Sequence, residues 1–449
     1  MKLRNLIILG IYFLNFLVGN NLRDNSKIIN LSDYDYPKPE HFLQNEYTIA
    51  IIGTNDIHGV EFEDQSYDFV NNQSYSTGGL EYMSSQIKAL INEWGNRCIL
   101  LDAGDQFQGG FENILSNGEI ITEFFNTIKF EGAAIGNHEF DFGMNFLRNR
   151  IESAKFEYLS ANIFNDKDED ITKIFKNANT VKIHRLDRVR IAVIGLATLE
   201  TPATTTGNLE GLKFKDYKPI LEKISGILRP YVNAIILLSH VGMKCQYPDR
   251  YELKLRKKKE IDFNECTDVE GEMIDLLKSL KPGTIDAVVG GHKHAINTIW
   301  VNGIPFISTN NLGRYFNVMY LKFDSNYKLK VDDTVIEGPI PVCSKIFEKN
   351  KLCELFNESE NQGKLYNYSF HHNIIYRDNN LRQTYDFYRE KLQPYMKKLS
   401  LSKSFLEKIE TGDFAIGNFV ADCFKNSINS DVSIIKPGAF RNIWKPGDI

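Results

Sequence analysis

At five places along the chain an apolar run stops directly on a residue that can ligate a metal. The segments are Asn55-Asp56-Ile57-His58-Gly59, Gly104-Asp105, Gly136-Asn137-His138-Glu139, Ser239-His240 and Gly291-His292-Lys293-His294. A short apolar run of this kind reads as a buried strand, and the residue that follows stands at the strand's carboxyl end. Five such tips on one sheet are expected to converge on one place. Their nitrogen and oxygen atoms suffice for two metal ions.

Taken singly, an Asp or His at a strand end is most often a capping or hydrogen-bonding group. The set is harder to explain that way. Four histidines (His58, His240, His292 and His294), two aspartates and one asparagine at these tips are candidate ligands, His138 stands beside them, and the chain has nine histidines in all. His184, His371 and His372 lack that setting and read as surface residues, and His41 falls in a polar N-terminal stretch. Glycines 59, 104, 136, 242, 290 and 291 permit tight turns beside the ligand positions.

The same alternation of runs gives the fold class. Strands are expected at Tyr47–Ile52, Cys98–Leu101, Ala133–Ile135, Arg190–Leu196, Ala234–Leu238, Ile285–Val289 and Val318–Phe323. Leu80, Met83, Ile87, Leu90, Ile91 and Trp94 recur at helical spacing, and Ile120–Ile128 reads as a second helix. Strands alternating with helices indicate a layered α/β architecture, either a mixed sheet or two packed sheets with helices outside. Met243–Glu270 interrupts the pattern. It reads as a solvated loop around Lys254-Leu255-Arg256-Lys257-Lys258-Lys259, the alternative being a basic rim that attracts anions.

Composition limits the partners. At 449 residues the chain accommodates two domains. A net charge of -5 gives no basic face for nucleic acid, so small-molecule chemistry is expected. Met1-Lys2-Leu3-Arg4 followed by the apolar run Leu6–Gly19 reads as a secretory signal peptide ending at Gly19. The run is short against the ~20 residues of a membrane span, so no stable span is expected after cleavage. Glycosylation acceptors at Asn30, Asn72, Asn357 and Asn367 fit a secretory route. Six cysteines then fall in an oxidising compartment. Cys245 with Cys266 and Cys343 with Cys353 each flank a polar loop and are the preferred pairs. Cys98 and Cys423 read as structural thiols.

The motifs together resemble the calcineurin-like metallophosphoesterases, and more closely the secreted 5'-nucleotidase family. The resemblance rests on Asn55-Asp56-Ile57-His58-Gly59, Gly104-Asp105-Gln106-Phe107-Gln108-Gly109, Gly136-Asn137-His138-Glu139-Phe140-Asp141, Ser239-His240-Val241-Gly242 and Gly290-Gly291-His292-Lys293-His294. It implies an α/β (α+β) fold: a four-layer α-β-β-α domain over 45–345, a linker with a helix over 346–400, and the start of a substrate domain over 401–449. It implies that Asp56, His58, Asp105 and His294 hold one divalent ion, zinc, manganese or similar, and that Asp105, Asn137, His240 and His292 hold a second. His138 would stabilise charge at the scissile phosphate and Asp141 would orient it, although Asp141 fits a helix N-cap equally well. The implied reaction is release of phosphate from extracellular nucleotides by metal-activated water. Cyclic nucleotides or nucleotide-sugars are the alternative substrates, and a non-catalytic secreted binding protein is the alternative class.

The resemblance thins toward the C-terminus. Glu410, Gly417-Asn418, Ala421-Asp422 and Gly438-Ala439-Phe440-Arg441 match the opening of the family's substrate domain. Arg441, with Asn137, is implied as a phosphate contact. Lys436-Pro437 replaces the family's Asn-Gly, and the aromatics that sandwich the base in the family lie beyond Ile449. The expectation is a truncated substrate domain. Metal identity, a lipid anchor and oligomeric state are left open.

Overall fold

The structure is a computed structural model, and it describes residues 28–30, 47–60, 62–209, 211–258, 263–356, 359–395 and 415–433. Two sheets carry the fold. One has eight strands in the order Lys254–Lys257, Val335–Pro341, Tyr315–Phe323, Tyr47–Thr54, Cys98–Asp102, Gly132–Ala134, Glu157–Leu159 and Ala178–Asn179. The other has six, in the order Val181–Leu186, Val189–Ala197, Ala234–His240, Ala287–Gly290, Ile304–Ser308 and Asn297–Val301. The central strands of each run parallel.

Side-chain alternation explains why the sheets stack. In the Tyr47–Thr54 strand, Ile49 and Ile51 enter an apolar layer shared with Ile191, Val193, Ile236 and Leu238 of the other sheet. Ala50 and Ile52 face the opposite way, onto Leu80, Met83, Ile87, Leu90 and Trp94 of the Leu80–Trp94 helix. In the six-stranded sheet Ala192, Ile194, Ile235 and Leu237 turn outward onto Leu221, Met273 and Leu277 of two further helices. A strand buried on both faces must be apolar at every position, and this is how four layers arise, helix, sheet, sheet, helix.

Several expectations change. The five ligand-bearing tips belong to two sheets rather than one, three to the first and two to the second. Lys254–Lys257 is an edge strand paired with Val335–Pro341, not a solvated loop. Leu253 is buried, and so is Arg256, whose guanidinium lies over Tyr247 and bonds Asp249. His184 and His371 are buried, not on the surface. Cys423 is exposed on the Ala415–Ile428 helix. Gly338-Pro339-Ile340-Pro341 closes the Val335–Pro341 strand, whose register against Tyr315–Phe323 shifts between Phe316 and Val318.

The expected disulfides Cys245–Cys266 and Cys343–Cys353 are both present. The segment after 345 carries the strands Lys345–Phe347 and Leu365–Phe370, and its Tyr368, Phe370, Leu381 and Tyr385 join the core beneath the Leu80–Trp94 helix. One compact unit runs to Tyr388 and a second from Arg389. The expected signal peptide, Glu410, Lys436 and Arg441 lie outside the described residues.

A buried polar relay ties this outer layer down. His371 Nδ1 meets Glu93 at 2.6 Å and its Nε2 meets Glu337 at 3.2 Å, while the Tyr320 hydroxyl donates to the other oxygen of Glu337 at 2.5 Å. Burial opposes charging His371, but Glu337 and then Glu93 outweigh it and push the pKa up to about 9. An exposed histidine titrates near ~6.5. The folded pKa is the higher one, so this contribution is complete below the exposed value and is lost as pH rises through about 9. Urea unfolding is expected to show a loss on the order of 3 kcal/mol across that window. The loss should be absent from His371→Gln. An identical pH dependence in both proteins would refute the relay's role.

Candidate metal centre

The carboxyl ends of both sheets open on the same spot. Thr54, Asp102 and Ala134 end three strands of the first sheet, and His240 and Gly290 end two of the second. Beyond each end the backbone turns abruptly. Asp56, His58, Asp105, His292 and His294 all have positive φ, between 48° and 78°. That region is sparsely populated by residues with a side chain, though Asp and His enter it more readily than most. The cost is held by neighbouring contacts: Asp56 N donates to Gly104 O, His58 N to Asp105 O, and His292 N to the Asp56 carboxylate. Gly136 is required here, because a Cβ would lie 2.2 Å from Asp105 Oδ1 and 2.6 Å from Glu139 Oε2.

Two groups of ligand atoms result. Asp56, His58, Asp105 and His294 form one, and Asp105, His240 and His292 form the other, each with its atoms within 4.8 Å of one another. Asp105 belongs to both. His58 Nε2 and His294 Nε2 face each other at 2.8 Å, and Asp56 Oδ1 lies 3.3 Å from His294 Nε2. His240 Nε2 lies 3.1 Å from Asp105 Oδ2 and 3.1 Å from Asn137 Oδ1. Asn137 thereby joins the second group.

The rings are aimed by their other nitrogens. His58 Nδ1 donates to Gln108 O at 2.9 Å and His240 Nδ1 to Ala103 O at 2.7 Å, which leaves each Nε2 lone pair turned inward. His292 Nε2 meets Glu200 at 2.6 Å, so Nδ1 is the atom it can offer. The Asn311 amide meets His294 Nδ1 at 3.1 Å.

The charge balance shows that these residues fit cations. Asp56, Asp102, Asp105 and Glu139 are all buried, and among the described residues no Lys or Arg pairs with any of them. Burial opposes ionisation of Asp56, yet His294 outweighs it and holds the carboxyl down to about 2. Burial opposes charging His240, yet Asp105 pushes it up to about 10. A field that holds a proton so strongly on a buried imidazole also favours a metal ion in its place. His292 is lowered, by burial and then by His240, which keeps its lone pair available.

His138 stands at the rim. Its Nδ1 meets Asp141 Oδ2 at 2.6 Å, leaving Nε2 for a ligand, and its ring lies 5.5 Å from that of His58. Burial opposes its protonation, but the Asp141 hydrogen bond and then the Asp105 charge raise its pKa. Asp141 Oδ1 is fixed by the Thr205 hydroxyl and the Thr206 amide, each at 2.8 Å. The following helix, Met144–Ser153, has Gly143 at its N-cap, so Asp141 orients His138 and does not cap that helix.

Sequence reasoning missed Glu200, Asn311 and the structural part played by Glu139. Glu200 had a readable signal, since it follows the apolar run Val189–Ala197 as the other tips follow theirs. Asn311 had a weaker one, three residues beyond the Ile304–Ser308 strand.

The chain is similar to several known proteins. Residues 49–295 match the family model described as calcineurin-like phosphoesterase. The chain is 28% identical to a snake venom 5'-nucleotidase of Gloydius brevicauda over 62% of its own length and 46% of the relative's. It is 24% identical to a 5'-nucleotidase of Vibrio vulnificus over 92% of its length and 72% of the relative's. The structure of a 5'-nucleotidase precursor from Thermus thermophilus superposes with a TM-score of 0.65 at 17% identity, covering 90% of this chain and 72% of that one. The chain spans about half the length of the first curated relatives it matches.

Glu139 provides a test of how the shell is supported. It accepts from the amides of Gly136, Asp105 and Gln106 at 2.6 to 2.9 Å. Glu139→Ala removes all three acceptors and is expected to cost on the order of 3 kcal/mol or more in denaturant unfolding, as buried donors lose their partner. Glu139→Gln, which keeps one oxygen, should cost less. An unchanged midpoint in Glu139→Ala would show that the loop does not depend on this carboxylate.

Proposed function

The chain belongs to the calcineurin-like phosphoesterase family, and from that premise we propose that it is a metal-dependent phosphohydrolase that releases phosphate from nucleotides. The observation that carries the proposal is the pair of ligand clusters sharing Asp105, with the His138–Asp141 pair at their edge. In this reading Asp56, His58, Asp105 and His294 hold one divalent ion, and Asp105, Asn137, His240 and His292 the other. Zinc and manganese both suit such a mixed imidazole and carboxylate set. When bound, the ions supply Lewis-acid charge neutralisation and a nucleophile at neutral pH.

The chain's own residues do the rest. His138 Nε2 donates a hydrogen bond to a phosphoryl or leaving oxygen and can pass its proton to the leaving group. Asp141 favours the protonated imidazole and fixes its plane. Asn137 and Arg441 are assigned to the phosphate. Glu200 orients His292 in the way carboxylates commonly orient ligating histidines. The nucleotide substrate is supported by the named activity of the relatives, snake venom and bacterial 5'-nucleotidases alike. The venom relatives and the four acceptor tripeptides favour an extracellular setting. Among the described residues no helix is long and apolar enough to cross a membrane.

The test is phosphate release from 5'-AMP and from bis-p-nitrophenyl phosphate, with manganese or zinc and with chelator, alongside metal analysis of each variant. AMP hydrolysis is expected and should vanish on chelation. His138→Ala should lose about 10²–10⁴-fold in kcat, the range of one general acid, with its metal content unchanged. Glu200→Gln should weaken metal binding about 10–100-fold at one of two sites. Chelator-resistant turnover, or near-native turnover in His138→Ala, would overturn the proposal.

A further inference from the structure

An exposed hairpin far along the chain from any ligand residue of the second sheet carries its own chemistry. Asp64–Asp68 pairs antiparallel with Gln73–Thr77, and residues 69–72 turn between them. Asp68, fully buried, builds the turn from inside. Its Oδ1 accepts the amides of Val70 and Asn71 at 3.0 and 3.1 Å, and its Oδ2 accepts the side-chain amides of Asn71 and Gln73 at 2.8 and 2.9 Å. Gln73 then ties the hairpin to the chain at Gly363 and Leu365. The tip is therefore organised, and it holds Asn72 exposed at φ 52°, a conformation asparagine tolerates.

Two features of that tip point the same way. First, Tyr67, Phe69 and Val70 are exposed at 39%, 67% and 45%, and the Tyr67 and Phe69 rings meet edge to face at 5.0 Å. Single exposed apolar residues are ordinary, but a cluster within four residues marks a surface that something covers. Second, Asn72-Gln73-Ser74 is an acceptor tripeptide, and Ser74 is exposed. The Tyr67 hydroxyl donates to Asn72 Oδ1. Asn72 Nδ2, the atom that would be modified, has no partner among the described residues.

We propose that Asn72 carries an N-linked glycan whose first sugar lies against Tyr67 and Phe69. The donor is a lipid-linked oligosaccharide of the secretory pathway. The Asn72 amide nitrogen bonds to the anomeric carbon and the carbon–oxygen bond to the lipid pyrophosphate breaks. The lipid diphosphate departs with that electron pair, and the amide gives up one proton. The apolar C–H face of a sugar ring suits the negative face of an aromatic ring, so the glycan covers the patch that the fold leaves bare. Asn72 is favoured over Asn30 and Asn367, which lie in adjacent paired strands, Asn30 opposite Ser369 and Asn367 opposite Ile28. Ser369, the third residue of the Asn367 tripeptide, is buried.

The experiment uses the full chain secreted from a eukaryotic host. Glycopeptide mass spectrometry should find a glycan at Asn72, and Asn72→Gln should remove it. Enzymatic deglycosylation should lower the melting temperature by about 2–4 °C, the shift a 1 kcal/mol loss gives in a domain of ~150–250 residues. In Phe69→Ala, which keeps the acceptor tripeptide, that difference should disappear. An unmodified Asn72 in secreted protein overturns the site. An equal deglycosylation shift in Phe69→Ala and the parent overturns the aromatic platform. Phosphate release is read separately and should be the same in Asn72→Gln and the parent.

Discussion

Uncompensated negative charge at the mouth of two stacked sheets is the constraint on which the rest of the structure rests. Asp56, Asp102, Asp105 and Glu139 are withdrawn from water without a Lys or Arg beside them among the described residues. Burying one ionised carboxylate unpaired is costly, and the usual remedies are pairing, hydrogen bonds or neutralisation. The fold divides these remedies among the four. Glu139 takes three backbone amides, and burial followed by repulsion from Asp105 still pushes it up to about 8. Asp102 takes the Thr54 hydroxyl, the Gln106 amide and the Gly104 N–H, while burial raises it to about 7. Both are pushed toward the neutral form. Asp56 and Asp105 are held ionised by histidines, and theirs are the oxygens that face the ligand clusters. The centre thus separates carboxyls that support the loops from carboxylates that face the candidate ligand clusters.

Strain follows from the same arrangement. To turn side chains inward immediately after a strand, five ligand residues adopt left-handed backbone. Such residues persist where the surroundings over-determine them. Here the surroundings are two sheets, since Asp56 is bridged to Gly104 on one side and His292 on the other. Neither sheet alone presents a complete cluster: Asp56, His58 and Asp105 come from the first and His294, His240 and His292 from the second. Packing of Ile49 and Ile51 against Ile191 and Val193 is therefore also what brings the ligands into register.

Much of this was legible in the sequence because it is local. Apolar runs gave strands within one to three residues of their ends, and the residues after them gave the convergent tips. Local pattern does not say which sheet a strand joins, so the residues alone left one mixed sheet and two packed sheets both open. Lys254-Leu255-Arg256-Lys257 looked solvated because its charges dominate the composition. Edge strands tolerate such charge, with Lys254 and Arg256 answered by Asp249. His371 looked superficial for a similar reason. Its partners Glu93 and Glu337 lie far away in sequence, so nothing near it announced a buried relay. Glu200 follows an apolar run as the other tips do, but it stands three residues past the strand, and only its partner, His292, beside it in space marks it as part of the centre.

The placement of the centre also separates chemistry from choice of substrate. Every described ligand atom lies between Asp56 and His294, within one compact unit, and each ring is oriented by a neighbour in that unit. His138 and Asp141 add a proton donor at the same mouth. In the proposed function these groups meet a phosphoryl oxygen and a leaving oxygen, features that all phosphoesters share. Nothing in that shell reads a base or a sugar. Discrimination among esters must come from groups that contact the remainder of the substrate. Because the candidate ligands are held by sheet packing and not by those contacts, the proposed function lets substrate preference change without altering the geometry around Asp105.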